Sequence, residues 1–278
     1  MSELEIILST PSPRTRASLL RDLRQLGLAE GMTVMVHSSL SSLGWVCGGA
    51  VTVTEALMDV VTTTGTLVMP THSASYSDPA NWQAPPVPAE WWPIIRETMP
   101  AFDPQVTPTR GMSEIVEVFR TWPDVLRSSH PAVSFAAWGQ HAKAMIADHS
   151  LNDSLGEGSP LARLYDLNGW VLLLGVGYDS STCFHLAEYR INRAKRVTKG
   201  AAILEAGQRV WKLYTDIEFE DDCFVEMGTA FEQAGHVKVS KVGSATARLF
   251  PVRSAVDFAK NWLTNQTTVS LTPEEAFP

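Results

Sequence analysis

Residues 170–188 read WVLLLGVGYDSSTCFHLAE, and the architecture follows from this stretch. Trp170 to Val176 is an apolar run of strand length, the pattern of a strand buried on both faces of a parallel sheet. Gly177-Tyr178-Asp179-Ser180-Ser181-Thr182 leaves it as a glycine-containing turn, and Cys183 to Asn192 reads as a helix. Strand, turn and capped helix at this pace form the repeating step of an α/β fold.

Upstream, Arg14 to Leu26 places Leu19, Leu20, Leu23 and Leu26 at helical spacing, and Gly27 closes the helix. Thr33 to Val36 reads as a buried strand that runs into His37-Ser38-Ser39. Thr52 or Thr54 can cap a helix through Ala56, Leu57, Val60 and Val61, and Thr66 to Pro70 is a second short strand. This is a βαβ unit, expected to be right-handed. Residues 71–109 differ, with Pro79, Pro85, Pro86, Pro88, Pro93, Pro100, Pro104 and Pro108 interleaved with Trp82, Trp91 and Trp92. Helices and central strands are both poor readings for such chain. It is either a rigid surface wrap or a wall of the site. Further helices are expected over Met112 to Phe119, Gln140 to Ile146 and, behind the Ser159-Pro160 start signal, Leu161 to Leu167.

Downstream, Val197 to Ala202 and Val210 to Leu213 flank a turn and suggest a hairpin, and Val237 to Val242 with Ala245 to Phe250 suggest a second. Cys223 to Gln233 and Val252 to Leu263 read as helices. The expectation is an α/β protein: a mixed central sheet with flanking helices and an antiparallel C-terminal region. Residues 1–264 form a single domain in which 71–109 is a Pro/Trp-rich insertion near the site, and 265–278 are a loosely ordered tail.

Composition narrows the function classes. The chain has 30 acidic and 22 basic residues, a formal charge of −8. That balance disfavours nucleic acid, whose phosphates demand neutralisation, and suits a small cationic ligand. No apolar run approaches the roughly 18 residues of a membrane span, so no membrane partner is expected. Residues 1–10 carry Glu3 and Glu5 without a basic stretch, so no signal peptide is expected. The three cysteines form no C-x-x-C pair, which points to reduced thiols and a cytoplasmic setting. No cluster has ordinary zinc-site spacing, and no metal is expected. A protein of this kind is a monomer or a homodimer.

Seven histidines make a short list of proton acceptors. His185 leads it, early in the helix that follows the best strand, where ligand sites of such sheets lie. Glu188, three residues on, shares its helix face and can orient the imidazole; Asp179 in the feeding turn is a second partner. A surface ion pair of little consequence is the plain alternative. His37, Ser38 and Ser39 at the first strand exit can grip an acceptor-rich ligand or serve as loop caps. His130 precedes Pro131, which favours an extended backbone and a steadily aimed side chain, with a structural role ahead of proton transfer. Asp216, Glu218, Glu220, Asp221, Asp222 and Glu226 form either a solvated face or a wall that attracts a cation. Cys183 lies two residues from His185, and positions two apart on a helix do not face each other, so a buried thiol is the better reading. There is no G-x-G-x-x-G fingerprint, P-loop or G-x-S-x-G elbow.

Taken in order, the segments resemble a known family. They are Val36-His37-Ser38-Ser39-Leu40, Gly48-Gly49, Thr66-Leu67-Val68-Met69-Pro70-Thr71, Thr109-Arg110-Gly111-Met112, Arg127 through Phe135, Gly158-Ser159-Pro160, Leu173 through Gly177, Thr182 through Glu188, the acidic run and Phe250-Pro251-Val252-Arg253. Together they resemble the aminoglycoside 3-N-acetyltransferases, an antibiotic acetyltransferase family unrelated in fold to the common GNAT enzymes. Each motif is modest, but their order from Thr33 to Leu263 is specific.

The resemblance implies an antibiotic-acetyltransferase-like fold, acetyl-CoA as cosubstrate and transfer to the 3-amine of a 2-deoxystreptamine aminoglycoside. It implies that His185 is the catalytic base and Glu188 its supporting carboxylate. Ser38 and Ser39 would line the thioester arm, with His37 beside them. His130, Ser134 and Phe135 would shape the coenzyme side, and Arg110 would lie near the coenzyme. Asp216, Glu218, Glu220, Asp221, Asp222 and Glu226 would receive the aminoglycoside. Other readings are an acetyltransferase acting on another amine, a hydrolase with an acyl-enzyme on Ser38 or Cys183, and a non-catalytic protein that sequesters a cation.

Overall fold

The structure, a computed structural model, describes residues 2–191 and 195–269. In chain order its strands are β1 (Thr33–Ser38), β2 (Thr66–Pro70), β3 (Leu126–Arg127), β4 (Phe135–Gly139), β5 (Trp170–Leu174), β6 (Arg196–Glu205), β7 (Gln208–Ile217), β8 (Lys238–Val242) and β9 (Ala245–Pro251). Seven of them form one mixed sheet in the order β3-β4-β2-β1-β5-β9-β8, and β6 and β7 form a separate ribbon. Three adjacent strands are parallel: β1 pairs with β2 on one side and with β5 on the other, from Val34↔Trp170 to Ser38↔Leu174. The second hairpin joins the sheet through β9, antiparallel to β5.

The helices are α1 (Glu3–Ser9), α2 (Arg16–Leu26), α3 (Gly49–Val61), α4 (Trp92–Thr98), α5 (Glu114–Arg120), α6 (Ala142–Ile146), α7 (Pro160–Asp166), α8 (Phe184–Tyr189), α9 (Phe224–Gln233) and α10 (Val252–Val269). The strands alternate their apolar residues between two cores, as the period of two requires. Val34, Val36, Leu172 and Leu174 pack with α2, α3 and α5 on one face. Met35, Val171 and Leu173 pack with α6 to α10 on the other. Both faces of β5 are therefore covered, which is why its sequence is an uninterrupted apolar run.

Several boundaries moved. The helix read from Thr52 or Thr54 starts at Gly49, because Gly48 (φ 84°) and Gly49 (φ 56°) turn the chain earlier; Thr52 Oγ1 instead donates to the Cys47 carbonyl at 2.7 Å. The helix read from Cys183 spans Phe184–Tyr189, and Asn192 lies outside the described residues. Within 71–109, α4 forms despite Pro93, since a proline in the first turn removes no intrahelical hydrogen bond. The final helix continues through residues 265–269 of the tail, and 270–278 lie outside the described residues. No helix among the described residues is long and apolar enough to cross a membrane.

Residues 71–109 are fastened from two sides. Arg127, 8% exposed, donates from Nη2 to the Thr71 carbonyl at 2.7 Å and to Ser73 Oγ at 2.9 Å. Its Nη1 reaches the Thr107 carbonyl, and its guanidinium stacks 5.0 Å from the Phe102 ring. On the other side, the Phe102 N–H donates to the Ala202 carbonyl of β6 at 2.9 Å, and Arg209 of β7 donates to the Met99 carbonyl at 2.9 Å.

Candidate active site

The chain arrives at β1 from one side of the sheet and at β5 on the other, so the carboxyl ends of β2, β1 and β5 open on a crevice where the strand order reverses. Gly175, the first residue beyond β5, has φ 75°, and a Cβ there would lie 2.6 Å from Ser42 Cβ. Only glycine lets the chain leave the sheet at this point. A short helical turn at Tyr178–Ser180 follows, and then α8 sets His185 in its first turn.

His185 Nδ1 lies 2.6 Å from Glu188 Oε2, an i,i+3 pair whose side chains are 13% and 8% exposed. The other carboxylate oxygen accepts the Glu220 N–H at 3.0 Å. The imidazole is wedged between Phe219 and Phe224, with ring centroids at 4.9 and 4.8 Å. A carboxylate on Nδ1 selects the tautomer protonated there, which leaves Nε2 with a free lone pair on a ring that lines the crevice. An imidazole oriented in this way by a carboxylate is chemically able to accept a proton at Nε2.

This crevice holds about 400 Å³ and is lined by His37, Ser38, His72, Asp179, His185 and Asp221, among others. A larger cleft of about 740 Å³ adjoins it, running past Ser39, Trp45 and Glu3. Ser38 and Gly111–Ser113 line both. At this junction Ser38 Oγ and Ser113 Oγ are 3.1 Å apart. Ser39 lies in the larger cleft, where its Oγ accepts from Ser42 Oγ at 2.9 Å. His37 is buried, and burial pushes its imidazole down to about 3.

Other expected residues are placed differently. Asp179 lines the crevice but makes no hydrogen bond to His185, whose described acid partner is Glu188. Asp216 is fully buried, because it accepts from Tyr189 Oη at 2.6 Å, from Ser154 Oγ, and from Lys199 Nζ at 3.5 Å. It is therefore not part of a substrate-facing wall. Glu218 pairs with Lys195 at 2.8 Å. Glu220 is tied to the site through its backbone; Asp222 and Glu226 are exposed; Asp221 is the member of the acidic run that lines the crevice.

The expected coenzyme-side residues also divide. Arg110 is exposed, and its guanidinium donates to the Ala84 carbonyl at 3.4 Å, lining a third cleft with Trp82 and Gln83 and not the larger one. His130, Ser134 and Phe135 line neither of the two adjoining clefts. The His130 Nδ1 accepts the Val133 N–H at 3.1 Å, Ser134 Oγ donates to the Thr71 carbonyl at 2.8 Å, and the buried Phe135 ring lies 5.6 Å from that of His72. These residues brace the crevice wall from behind. Cys183 is wholly buried, and burial pushes its thiol up to about 12, so it offers no nucleophile. His72 and Ser113 line the crevice without having been singled out from the sequence; the position of Thr71-His72-Ser73 just beyond a parallel strand is the available signal for His72. Among the described residues no group of three or more His, Cys, Asp or Glu could hold a metal ion.

A family model described as aminoglycoside 3-N-acetyltransferase matches residues 35–264. The chain is 55% identical over 268 residues to the SPbeta prophage-derived aminoglycoside N(3')-acetyltransferase-like protein YokD of Bacillus subtilis (strain 168), covering 96% of this chain and 98% of that protein. The crystal structure of YokD superposes with a TM-score of 0.94, covering 95% of this chain and 98% of that one. Aminoglycoside N(3)-acetyltransferase VII of Streptomyces paromomycinus is 39% identical over 279 residues, covering 95% and 96%. A structure of AAC-IIIb, binary with CoASH, is 32% identical with a TM-score of 0.82, covering 92% and 98%.

Proposed function

The chain belongs to the aminoglycoside 3-N-acetyltransferase family, and we propose that it acetylates the 3-amine of a 2-deoxystreptamine aminoglycoside by direct transfer from acetyl-CoA, with His185 as general base and Glu188 as its orienting carboxylate. The activity class, acetyl-CoA-dependent N-acetyl transfer, comes with the family. The observation that carries the residue roles is the 2.6 Å Nδ1–Oε2 bond at the wall of a crevice that opens onto a second, larger cleft.

The two clefts suit the two substrates. The larger one has room for a long coenzyme whose thioester ends near Ser38 and Ser113. The smaller one takes the acceptor, with Asp179 and Asp221 drawing in its ammonium groups against the −8 charge of the chain. His185 Nε2 takes a proton from the attacking nitrogen, and Glu188 stabilises the imidazolium. The nitrogen forms a bond to the thioester carbon, the carbon–sulfur bond breaks, and the imidazolium returns its proton to the departing thiolate. No acyl-enzyme is formed, consistent with the buried Cys183 and with Ser38 bonded to Ser113 rather than to a base. Most of the rate comes from holding amine and thioester together, and the base adds about 10²–10⁴-fold.

A second reading is acetylation of a different amine. It is favoured by the burial of Asp216 and the pairing of Glu218, which thin the acidic wall that a polycation would need. The two are separated by incubating the protein with acetyl-CoA and a panel of 2-deoxystreptamine aminoglycosides and simpler amines while following free thiol. Thiol release with the aminoglycosides supports the first reading. Release only with other amines overturns that acceptor and leaves the transfer chemistry in place.

A further inference from the structure

We propose that His72 is a further catalytic residue of this site, its imidazole hydrogen-bonding the carbonyl oxygen of the bound acetyl thioester and the oxyanion that forms when the amine adds. The inference rests on the acetyl-transfer reading and assigns a group that this reading leaves without a role.

Each of the three parallel strands delivers one histidine to the same crevice: His37 from β1, His72 just beyond β2, and His185 after β5. His185 has Glu188. The Nε2 atoms of His37 and His72 are buried and have no hydrogen-bond partner among the described residues. A buried ring nitrogen left unpaired forfeits its hydration with nothing in return, so natural sites keep such groups where a ligand completes them.

The backbone around His72 is firmly held, while its Nε2 is left without a partner. Thr71 and Ser73, its two neighbours, donate their N–H groups to the Ser134 and Ala132 carbonyls at 2.8 and 2.9 Å. The His72 carbonyl accepts the Arg110 N–H at 2.9 Å. Arg127 grips the same two neighbours from below, through the Thr71 carbonyl and Ser73 Oγ. Phe135 meets the ring edge-on at 82°. A donor held this firmly needs no reorganisation as charge develops on a substrate, which is the condition for strong electrostatic catalysis.

Strand order supplies the direction. β2 and β5 lie on opposite sides of β1, so the segments that carry His72 and His185 leave the sheet on either side of the β1 end at Ser38, and all three residues line one crevice. The base must stand behind the attacking nitrogen, and the carbonyl oxygen must then be met by other groups. Burial, reinforced by the neighbouring His185, pushes the His72 ring down to about 3. It is therefore neutral at working pH, with one N–H to donate and no charge to repel a cationic acceptor.

The test is infrared difference spectroscopy of [1-¹³C]acetyl-CoA bound to the full chain, read with steady-state kinetics. A hydrogen bond from His72 lowers the thioester carbonyl stretch in the wild type, and His72→Phe returns it toward its solution position. His72→Gln, which keeps an N–H donor, retains part of the shift. His72→Phe also loses about 10²-fold in kcat while the acetyl-CoA dissociation constant moves by less than about threefold, because the bond strengthens in the transition state. A carbonyl at its solution position in the wild type overturns the inference without any variant, as does a shift that survives His72→Phe or vanishes instead in His37→Phe. Failure of the wild type to bind acetyl-CoA removes the acetyl-transfer reading and this inference together; binding without a carbonyl shift removes this inference alone.

Discussion

The α8 pair and the acidic run from the end of β7 into α9 both bring carboxylates toward one crevice, and they do so by different physics. In α8, His185 and Glu188 meet because residues three apart on a helix share a face, and the 2.6 Å contact is made inside a six-residue element. In the segment from Asp216 to Glu226 the fate of each acid depends on what folds against it. Asp216 turns inward to Tyr189, Ser154 and Lys199, Glu218 pairs with Lys195, and Asp221 reaches the crevice. Local geometry places the proposed proton-transfer pair, whereas long-range packing sorts the acids into structure, surface and site.

The comparison breaks first at its strongest point. His185→Ala is expected to lower kcat by about 10²–10⁴-fold with little change in melting temperature, measured by thiol release; full activity in that variant would remove the local pair from the mechanism. Asp216→Ala is expected to act on stability, lowering it by about 3 kcal/mol in urea titrations, because it leaves Lys199 without its buried partner.

A pH-dependent effect of similar size at its limit follows from a buried imidazole on the structural side of the site. Burial pushes His149 down to about 4, while the unfolded ring titrates near 6.5. Between those values the unfolded chain binds a proton that the native state refuses, so stability falls as pH drops through this window and is regained above it. His149→Gln is expected to flatten the pH dependence of the unfolding free energy, extrapolated from urea titrations, between pH 6.5 and 4 by about 1.4 kcal/mol per pH unit at most. An unchanged slope would show that the ring is accessible to protons in the fold. Asp221→Ala is expected to raise the acceptor KM by about 3–10-fold and leave the acetyl-CoA KM alone, a loss of the size of one charge contact at a partly wet surface. Glu218→Gln should change neither KM nor melting temperature beyond assay error, since its partner Lys195 is exposed. A Glu218 effect as large as that of Asp221 would mean that the whole acidic run contacts the acceptor.

Much of the fold was legible because its signals are local. The apolar runs at β1, β2 and β5 are continuous, the glycine after α2 takes the left-handed conformation at φ 105°, and both hairpins show their turns. The helix inside residues 71–109 was not legible, since prolines dominate the composition and only the position of Pro93 in the first turn makes α4 allowable. The site divided in the same way. His185 and Glu188 could be paired from spacing. Ser38 and Ser113 could not, since 75 residues separate them.

What followed from the chain alone was the parallel βαβ core, the family likeness and the imidazole–carboxylate pair, because strand and helix periodicities act over a few residues. What folding had to supply was which acid is buried, which serines meet at the junction of two clefts, and which histidines converge on one crevice. Those depend on contacts such as Arg127 with Thr71 and Ser73, 56 and 54 residues away in sequence, and no periodicity reaches that far. A side chain's burial and partners are properties of the packed neighbours around it, and those neighbours exist only once the sheet has brought three strand ends together.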